Sequence, residues 1–142
     1  MVDSCTFCAI VTGRAPARFL YQDDDACAFL DITPLRTGHT LVVPRRHVRD
    51  LADAEAPLAV GAVGPALQAM SRLLIAELGA DGISVLQANG AAAGQTVFHL
   101  HFHLVPRYAG DRPLTDWTPD DAGRRTLDEM HQTLAPDYAK PR

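Results

Sequence analysis

The sequence predicts an α+β fold built on an antiparallel sheet. Short β-leaning runs come first, one long helical stretch follows, and further β-leaning runs precede a last helix. A doubly wound parallel sheet needs a regular alternation of strands and helices, which this order lacks. The chain has 142 residues, and 47% of them are hydrophobic, which suffices for one core. We therefore expect a single domain over residues 1–142.

The first third of the chain predicts one short helix and three short strands. Residues 5–12 suit a helix that ends at Gly13, because glycine favours the left-handed conformation that follows a helix C-terminus. Clusters of turn-forming residues, such as the aspartates at 23–25, separate the apolar runs that come next. The expected strands span residues 18–22, 26–31 and 39–44.

A long helix is predicted from about Asp53 to Leu78, and Gly79 follows it as a stop signal. The apolar residues of this stretch are spaced at the helical period: Val63, Leu67, Met70 and Leu74. An interior proline removes a backbone donor and clashes with the preceding turn. Because Pro65 follows Gly61 and Gly64 in the first half, we expect a break or a kink there.

The C-terminal part predicts one more helix. Thr118 suits its cap, Pro119 suits its first turn, and Pro136 terminates it. We expect His131 at an exposed position of this helix.

The composition argues against two classes of partner. The 13 Lys and Arg oppose 17 Asp and Glu, so the formal net charge is −4, and the chain lacks the basic stripe of proteins that bind nucleic acid polymers. The N-terminus has no basic region followed by an apolar one, and Gly, Pro or charge interrupts every apolar stretch well short of about 18 residues. We therefore expect a cytoplasmic protein that binds neither nucleic acid polymers nor membranes.

The cysteines favour metal chemistry. Cys5 and Cys8 form a C-x-x-C pair, a spacing found in metal sites and in redox dithiols. A thioredoxin-type dithiol follows a strand inside a βαβ unit, and no predicted strand precedes this pair. Cys27 lies in an apolar run, where a free cysteine behaves as a small hydrophobic residue, and we expect it to be buried in a strand.

Three of the six histidines fall in one predicted strand, 97–105, which follows another at 83–87. Side chains alternate between the two faces of a strand, so His99, His101 and His103 are expected to share a face. Such a row suits a catalytic zinc centre or an imidazole nucleophile. No carboxylate follows the row, and small residues precede it in a loop whose backbone amides suit a phosphate. These surroundings favour the nucleophile.

At these residues the sequence resembles the histidine triad (HIT) family. Its signature is His-x-His-x-His with apolar neighbours, here within residues 94–105, and further segments match in the expected order at 5–8, 28–34, 38–47 and 106–111. The match covers about residues 3–111 and leaves the C-terminal helix and tail, 112–142, outside it. The resemblance implies a HIT domain with about five antiparallel strands, one long and one C-terminal helix, and a sheet continued across a homodimer.

The resemblance also implies a nucleotide-binding hydrolase or transferase that acts at the α-phosphate of AMP conjugates. His101 would be the nucleophile and form a covalent nucleotidyl-histidine, while the backbone carbonyl of His99 holds its other nitrogen. His103 would contact the phosphoryl group or the leaving group, and His39 would lie beside the triad. The substrates would be nucleoside phosphoramidates, aminoacyl adenylates or dinucleoside polyphosphates. The implied nucleotide-binding residues are Asp31, Ile32, Asn89, Gly94, Gln95 and Thr96.

Zinc-containing bacterial members of the family imply a metal site at Cys5, Cys8, His47 and His99. Two thiolates and two imidazoles would close a tetrahedral set, so the expected Zn²⁺ is structural. Spacing alone does not select these two histidines among the six.

The sequence leaves two other functions open. The first is a nucleotide-binding regulatory or interaction protein with incidental hydrolase activity. The second is a metalloenzyme in which the triad binds catalytic zinc. One residue departs from the family pattern, because Ala88 stands where many relatives carry an amide side chain. Asn89 is the expected substitute for that amide.

Overall fold

A computed structural model describes residues 2–115 and 117–138 of the chain. The α+β fold is confirmed, and every predicted strand before residue 90 lies within one residue of its expected bounds. In chain order the elements are α1 (Thr6–Val11), β1 (Phe19–Gln22), β2 (Ala26–Leu30), β3 (Thr40–Pro44), α2 (Ala56–Leu78), β4 (Gly82–Leu86), β5 (Phe102–Arg107), α3 (Asp121–Arg125) and α4 (Leu127–Leu134).

The strands form one sheet of five, in the order β1-β2-β3-β5-β4. All neighbouring strands are antiparallel, as predicted. β2 and β3 lie inside the sheet and are buried along their whole length, whereas β1 and β4 lie at its two edges. Apolar residues therefore occupy both faces of β2 and β3, because both faces are covered there.

Helices of different size cover the two faces. Alternate residues of β2, such as Ala28 and Leu30, pack with Val63, Met70 and other residues of α2. The residues between them, including Cys27 and Phe29, pack with α1 on the opposite face. Cys27 is thus a buried strand residue, as predicted, and its burial raises the pKa of its thiol to about 11.

A break or a kink was expected in the long helix, and the break is wrong. α2 runs unbroken for 23 residues with Pro65 inside it. Pro65 cannot donate to the carbonyl of Gly61, but both residues are exposed. Water can therefore satisfy that carbonyl, so the helix tolerates the proline.

One helix among the described residues, α2, is long and apolar enough to cross a membrane by length and composition, with a mean hydropathy of 1.4. The segment meets this criterion on average hydropathy, although Gly64, Pro65 and Arg72 interrupt its apolar run as expected. One stripe of α2 packs on the sheet, which is the placement of a core helix. Other apolar side chains of the helix, including Leu58 and Ile75, are exposed.

The histidine segment is less regular than predicted. Strand β5 begins only at Phe102, which pairs with Val42 of β3, and residues 97–101 are not in a strand. The amide of Leu100 instead donates to the carbonyl of Val48 at 2.8 Å. The ladder cannot extend upstream because the chain after β3 occupies these backbone groups.

The C-terminal helix differs from the prediction at both its cap and its surface. It is divided into α3 and α4, and the cap is Asp120, whose carboxylate accepts from the amide of Gly123, rather than Thr118. His131 is buried, and its Nε2–H donates to the carbonyl of Phe19 in β1 at 2.7 Å. The expected exposed position was wrong because α4 packs on the edge strand.

Candidate active site and metal centre

His101 is held in a single tautomer by the backbone. Its Nδ1–H donates to the carbonyl of His99 at 2.7 Å, so its Nε2 carries the lone pair. The residue is only 9% exposed, and burial lowers the pKa of His101 below its usual value. At neutral pH this imidazole is therefore uncharged and nucleophilic.

His39 and His103 form a directed chain of hydrogen bonds. The amide of Leu35 donates to Nδ1 of His39 at 2.9 Å, which places the His39 proton on Nε2. That Nε2–H donates to Nδ1 of His103, also at 2.9 Å. Burial lowers the pKa of His103 to about 3, so His103 is neutral and its remaining proton is on Nε2. His103 is thus a hydrogen-bond donor beside His101, with their ring centroids 4.9 Å apart.

Asp31 lies at the end of β2 beside these histidines. Its Oδ1 accepts from the amide and the hydroxyl of Thr33 at 2.8 and 3.1 Å. Its Oδ2 lies 3.5 Å from Nε2 of His39 and 3.8 Å from Nδ1 of His103. The three side chains are close enough to suggest a metal site, but the proton on Nε2 of His39 points against one. Ile32, the next residue, is exposed.

A cavity of about 480 Å³ lies against His101 and His103. Trp117 closes one side of it, with its ring 4.7 Å from that of His103. Of the expected nucleotide-binding residues, Gly94, Gln95 and Thr96 line the cavity. The cavity is thus bounded by the histidines, the small-residue loop and a segment outside the family motifs.

The side chains of Asn89 and Gln95 form hydrogen bonds within the loop and to the neighbouring segment at 49–51. Asn89 Oδ1 accepts from the amide of Leu51 at 2.8 Å, and its amide group donates to Gln87 at 2.7 Å. Gln95 accepts from the amide of Gly90 at 2.7 Å and donates to the carbonyl of Arg49 at 2.8 Å. These bonds fix the loop that borders the cavity. Ala88, the departure from the family pattern, lines the cavity, whereas Asn89, its expected substitute, is not among the residues that line it.

A second cluster joins the C-x-x-C pair to two histidines. The ligand atoms of Cys5, Cys8, His47 and His99 all lie within 4.8 Å of one another. Nδ1 of His99 is 3.5 Å from Sγ of Cys5 and 3.3 Å from Nδ1 of His47. The Nε2–H of His99 donates to the carbonyl of Pro44 at 2.8 Å, which leaves its Nδ1 lone pair for the cluster.

The donor set of this cluster fits Zn²⁺. Two sulfurs and two imidazole nitrogens make a closed tetrahedral site of the structural kind. Burial lowers the pKa of His99 to about 4 and lowers the pKa of His47, so both rings are neutral, as metal ligands must be. Burial raises the pKa of the Cys5 thiol, which means that the thiolate is disfavoured there. A bound cation would offset this cost of forming the thiolate. The carbonyl of Pro44, which accepts from Nε2 of His99, is the kind of outer partner that orients metal-binding histidines.

The triad is therefore divided between two clusters. His99 faces the thiols, while His101 and His103 face the cavity. Sequence reasoning missed two aromatic neighbours of the site, Phe7 and Trp117, whose rings lie 5.1 Å from His101 and 4.7 Å from His103. Phe7 lies between Cys5 and Cys8 in the C-x-x-C motif, so the sequence could have predicted that it lies near the thiol cluster. No pattern pointed to Trp117.

Known proteins resemble the chain over most of its length. The model of a protein family described as the HIT domain matches residues 12–110. Protein hit of Bacillus subtilis is 38% identical over 136 residues, which is 94% of this chain and 93% of that protein. Adenylylsulfatase HINT3 of Arabidopsis thaliana is 38% identical over 125 residues, which is 88% of this chain and 61% of that protein.

A solved structure that resembles this fold is a zinc-bound protein. It is a Zn-bound histidine triad family protein from Mycobacterium smegmatis, 40% identical, with a TM-score of 0.77 over 96% of this chain and 98% of that one.

Proposed function

This chain belongs to the HIT family of nucleotide-binding hydrolases and transferases, and we propose that it cleaves AMP conjugates at the α-phosphate through a covalent nucleotidyl-histidine on His101. One observation carries the proposal. The Nδ1–H of His101 is bound to the carbonyl of His99 at 2.7 Å, so a neutral Nε2 lone pair is left on a side chain that lines the cavity.

The reaction has two displacements at phosphorus. First, Nε2 of His101 forms a bond to the α-phosphorus, and the bond to the leaving group breaks, with the electron pair going to the leaving group. A water molecule then attacks the same phosphorus, the N–P bond breaks, and AMP leaves with the water oxygen. The water proton is released, and His101 returns to its neutral form. Dividing the reaction in this way replaces one difficult step by two easier ones.

Neighbouring side chains have separate tasks in this scheme. His103 donates a hydrogen bond from Nε2 to the phosphoryl group or the bridging atom, because His39 occupies its Nδ1. The carboxylate of Asp31, whose Oδ2 is not used by the local turn, accepts from the ribose hydroxyls, and Ile32 flanks the nucleoside. Gly94 and Thr96, at the cavity wall, approach the phosphate.

The substrate class follows from the reacting bond. A relative named adenylylsulfatase supports a conjugate in which AMP is joined to a good leaving group. We propose nucleoside phosphoramidates, aminoacyl adenylates or dinucleoside polyphosphates as the class for this chain. The alternative is a nucleotide-binding regulatory or interaction protein with incidental hydrolase activity. For both functions we propose a cytoplasmic location.

The test is a panel of AMP conjugates assayed with the full chain: a phosphoramidate, lysyl adenylate, a diadenosine polyphosphate and adenylyl sulfate. We expect AMP release from at least one conjugate. Mass spectrometry of a rapidly quenched reaction, kept from acid because the adduct is acid-labile, is expected to show AMP attached to His101. Tight AMP binding without hydrolysis of any conjugate would favour the regulatory alternative.

We propose a structural role for Zn²⁺, held by Cys5, Cys8, His47 and His99. Bound there, the ion would supply a cross-link between α1, the segment after β3 and the segment before β5. A catalytic zinc on the triad is not favoured, since His101 and His103 are not part of the thiol cluster.

We also propose a homodimer in which the sheet continues through β4. β4 is an edge strand, and Val85 on it is 53% exposed. Exposed apolar side chains of α2 supply further surface of the kind that interfaces cover. Light scattering is expected to give about twice the chain mass of 15.3 kDa. A monomer that hydrolyses AMP conjugates would remove the dimer from the proposal and leave the chemistry intact.

A further inference from the structure

The imidazole of His101 has one hydrogen bond that sets its direction. The bond from Nδ1 to the carbonyl of His99 fixes one ring nitrogen, but a single bond leaves the ring free to rock about that contact. Two neighbouring rings limit this motion. His103 lies 4.9 Å away at an angle of 70°, and Phe7 lies 5.1 Å away at 89°.

Phe7 is buried and contacts several other rings. It lies in α1, one residue before Cys8, and its ring also contacts Phe29, with centroids 5.5 Å apart, and His99, at 6.0 Å. A perpendicular pair of rings is favourable, because the positive edge of one meets the negative face of the other. The side chain is therefore held by the core on one side and touches His101 on the other.

We propose that Phe7 is a positioning residue that holds the ring of His101, so that its Nε2 keeps one direction relative to the cavity. The catalytic consequence of this inference rests on the proposed function, but the positioning itself does not. The ring of Phe7 blocks rotation about the hydrogen bond to His99. A smaller side chain leaves space into which the imidazole tilts, and misplacing a reacting atom by about 1 Å can cost about 100-fold in rate.

The first test measures the ring directly. Protein labelled with ¹⁵N in its histidines is compared as wild type, Phe7→Leu and Ile10→Ala, with the His101 signals identified by their loss in His101→Gln. Ile10 is a matched control, because it lies in the same helix and the same core cluster but is aliphatic. We expect one tautomer, protonated at Nδ1, in wild type and in Ile10→Ala, and averaged signals in Phe7→Leu.

The second test measures turnover on the best conjugate, together with zinc content and melting temperature. Phe7→Leu is expected to lower kcat by roughly 10- to 100-fold with little change in KM, and to keep the zinc content of wild type. Ile10→Ala is expected to have a melting temperature no higher than that of Phe7→Leu, and to keep kcat per folded molecule within about twofold of wild type. Phe7→Tyr, which retains the ring, is expected to recover most of kcat.

The outcomes separate the two ideas. If Phe7→Leu keeps the wild-type His101 signals, or if Ile10→Ala loses them equally, the positioning role is wrong. If the signals change but kcat per folded molecule does not, the role in catalysis is wrong. A wild-type protein that hydrolyses no conjugate would overturn the proposed function, while the spectra still decide the role of Phe7.

Discussion

His99 and His101 lie two residues apart, and each donates a ring proton to a backbone carbonyl, yet opposite nitrogens are left free. In the thiol cluster of Cys5, Cys8, His47 and His99, the carbonyl of Pro44 takes the Nε2 proton of His99, so Nδ1 meets the sulfurs. In the cavity cluster of Asp31, His39, His101 and His103, the carbonyl of His99 takes the Nδ1 proton of His101. Backbone acceptors, rather than positions in a motif, thus leave Nδ1 of one imidazole free towards the thiols and Nε2 of the other free at the cavity.

The clusters also differ in what surrounds them. The thiol cluster is closed in its donor set, because its four ligand atoms all lie within 4.8 Å of one another, although Cys5 and His47 also line a groove of about 490 Å³. His101, in contrast, lines the cavity of about 480 Å³ and is not part of that set. A closed site stabilises a fold, and an open one accepts a reactant. We therefore expect changes in the first cluster to act mainly on stability and changes in the second to act mainly on rate.

The largest expected effect is that of His101→Ala. Removal of the nucleophile is expected to lower kcat by roughly 10³-fold or more, while AMP binding persists because Asp31 and the loop at 90–96 remain. Steady-state kinetics and calorimetric titration with AMP measure the two quantities. Retention of full activity would end the assignment of His101 as nucleophile.

Next in size is the effect of Cys8→Ser on stability. Loss of a bound metal is expected to cost about 3 kcal/mol of unfolding free energy, or roughly 10 °C in melting temperature, because the ion binds only the folded chain. Metal analysis should show one zinc per wild-type chain and less in the variant. Activity per folded molecule should fall far less than in His101→Ala. Immediate loss of catalysis on chelation, without loss of stability, would instead place the metal in the reaction.

A smaller effect is expected for His39→Leu. Without the Nε2–H of His39, the tautomer of His103 is no longer set, and we expect kcat to fall about 10-fold, less than the roughly 100-fold cost of removing a donor outright. His39→Gln is the control, since an amide accepts from Leu35 and donates to His103. Equal activity in both variants would contradict a directed chain of hydrogen bonds.

The last expected effect is a pH dependence of stability. The pKa of His103 is about 3 in the folded chain and about 6.5 when unfolded, so below pH 6.5 the unfolded state binds the extra proton. Stability is therefore lost as the pH falls from 6.5 towards 3, by about 1 to 2 kcal/mol at pH 5. Urea unfolding at pH 7.5 and pH 5 should show a smaller loss for His103→Asn than for wild type. An unchanged pH dependence in the variant would contradict the assignment.

Much of the fold could be predicted because its signals are local. The turn residues and apolar runs placed β1 to β4 within one residue of their bounds, and spacing at the helical period placed α2. The triad pointed to imidazole chemistry from the residues alone, whereas the metal ligands His47 and His99 were chosen only by family resemblance.

The parts that could not be predicted depend on contacts between distant residues. Residues 97–101 leave the strand because Leu100 binds Val48, and His131 is buried because Phe19 supplies an acceptor far away in sequence. The division of the triad likewise depends on the carbonyl of Pro44. Spacing within a segment carries no information about such partners.

The covering of β1 by α4 limits how many copies can join through this sheet. Besides the bond from His131 to Phe19, Arg18 before β1 pairs with Asp128 of α4 at 2.8 Å, so one margin of the sheet is occupied within the chain. Among the described residues, the margin for a neighbour is the one at β4. Two open margins would permit an endless ribbon of chains, whereas a single open margin is consumed by one partner. In the proposed dimer, strand pairing would therefore end at two copies, because the C-terminal helix covers the margin at β1.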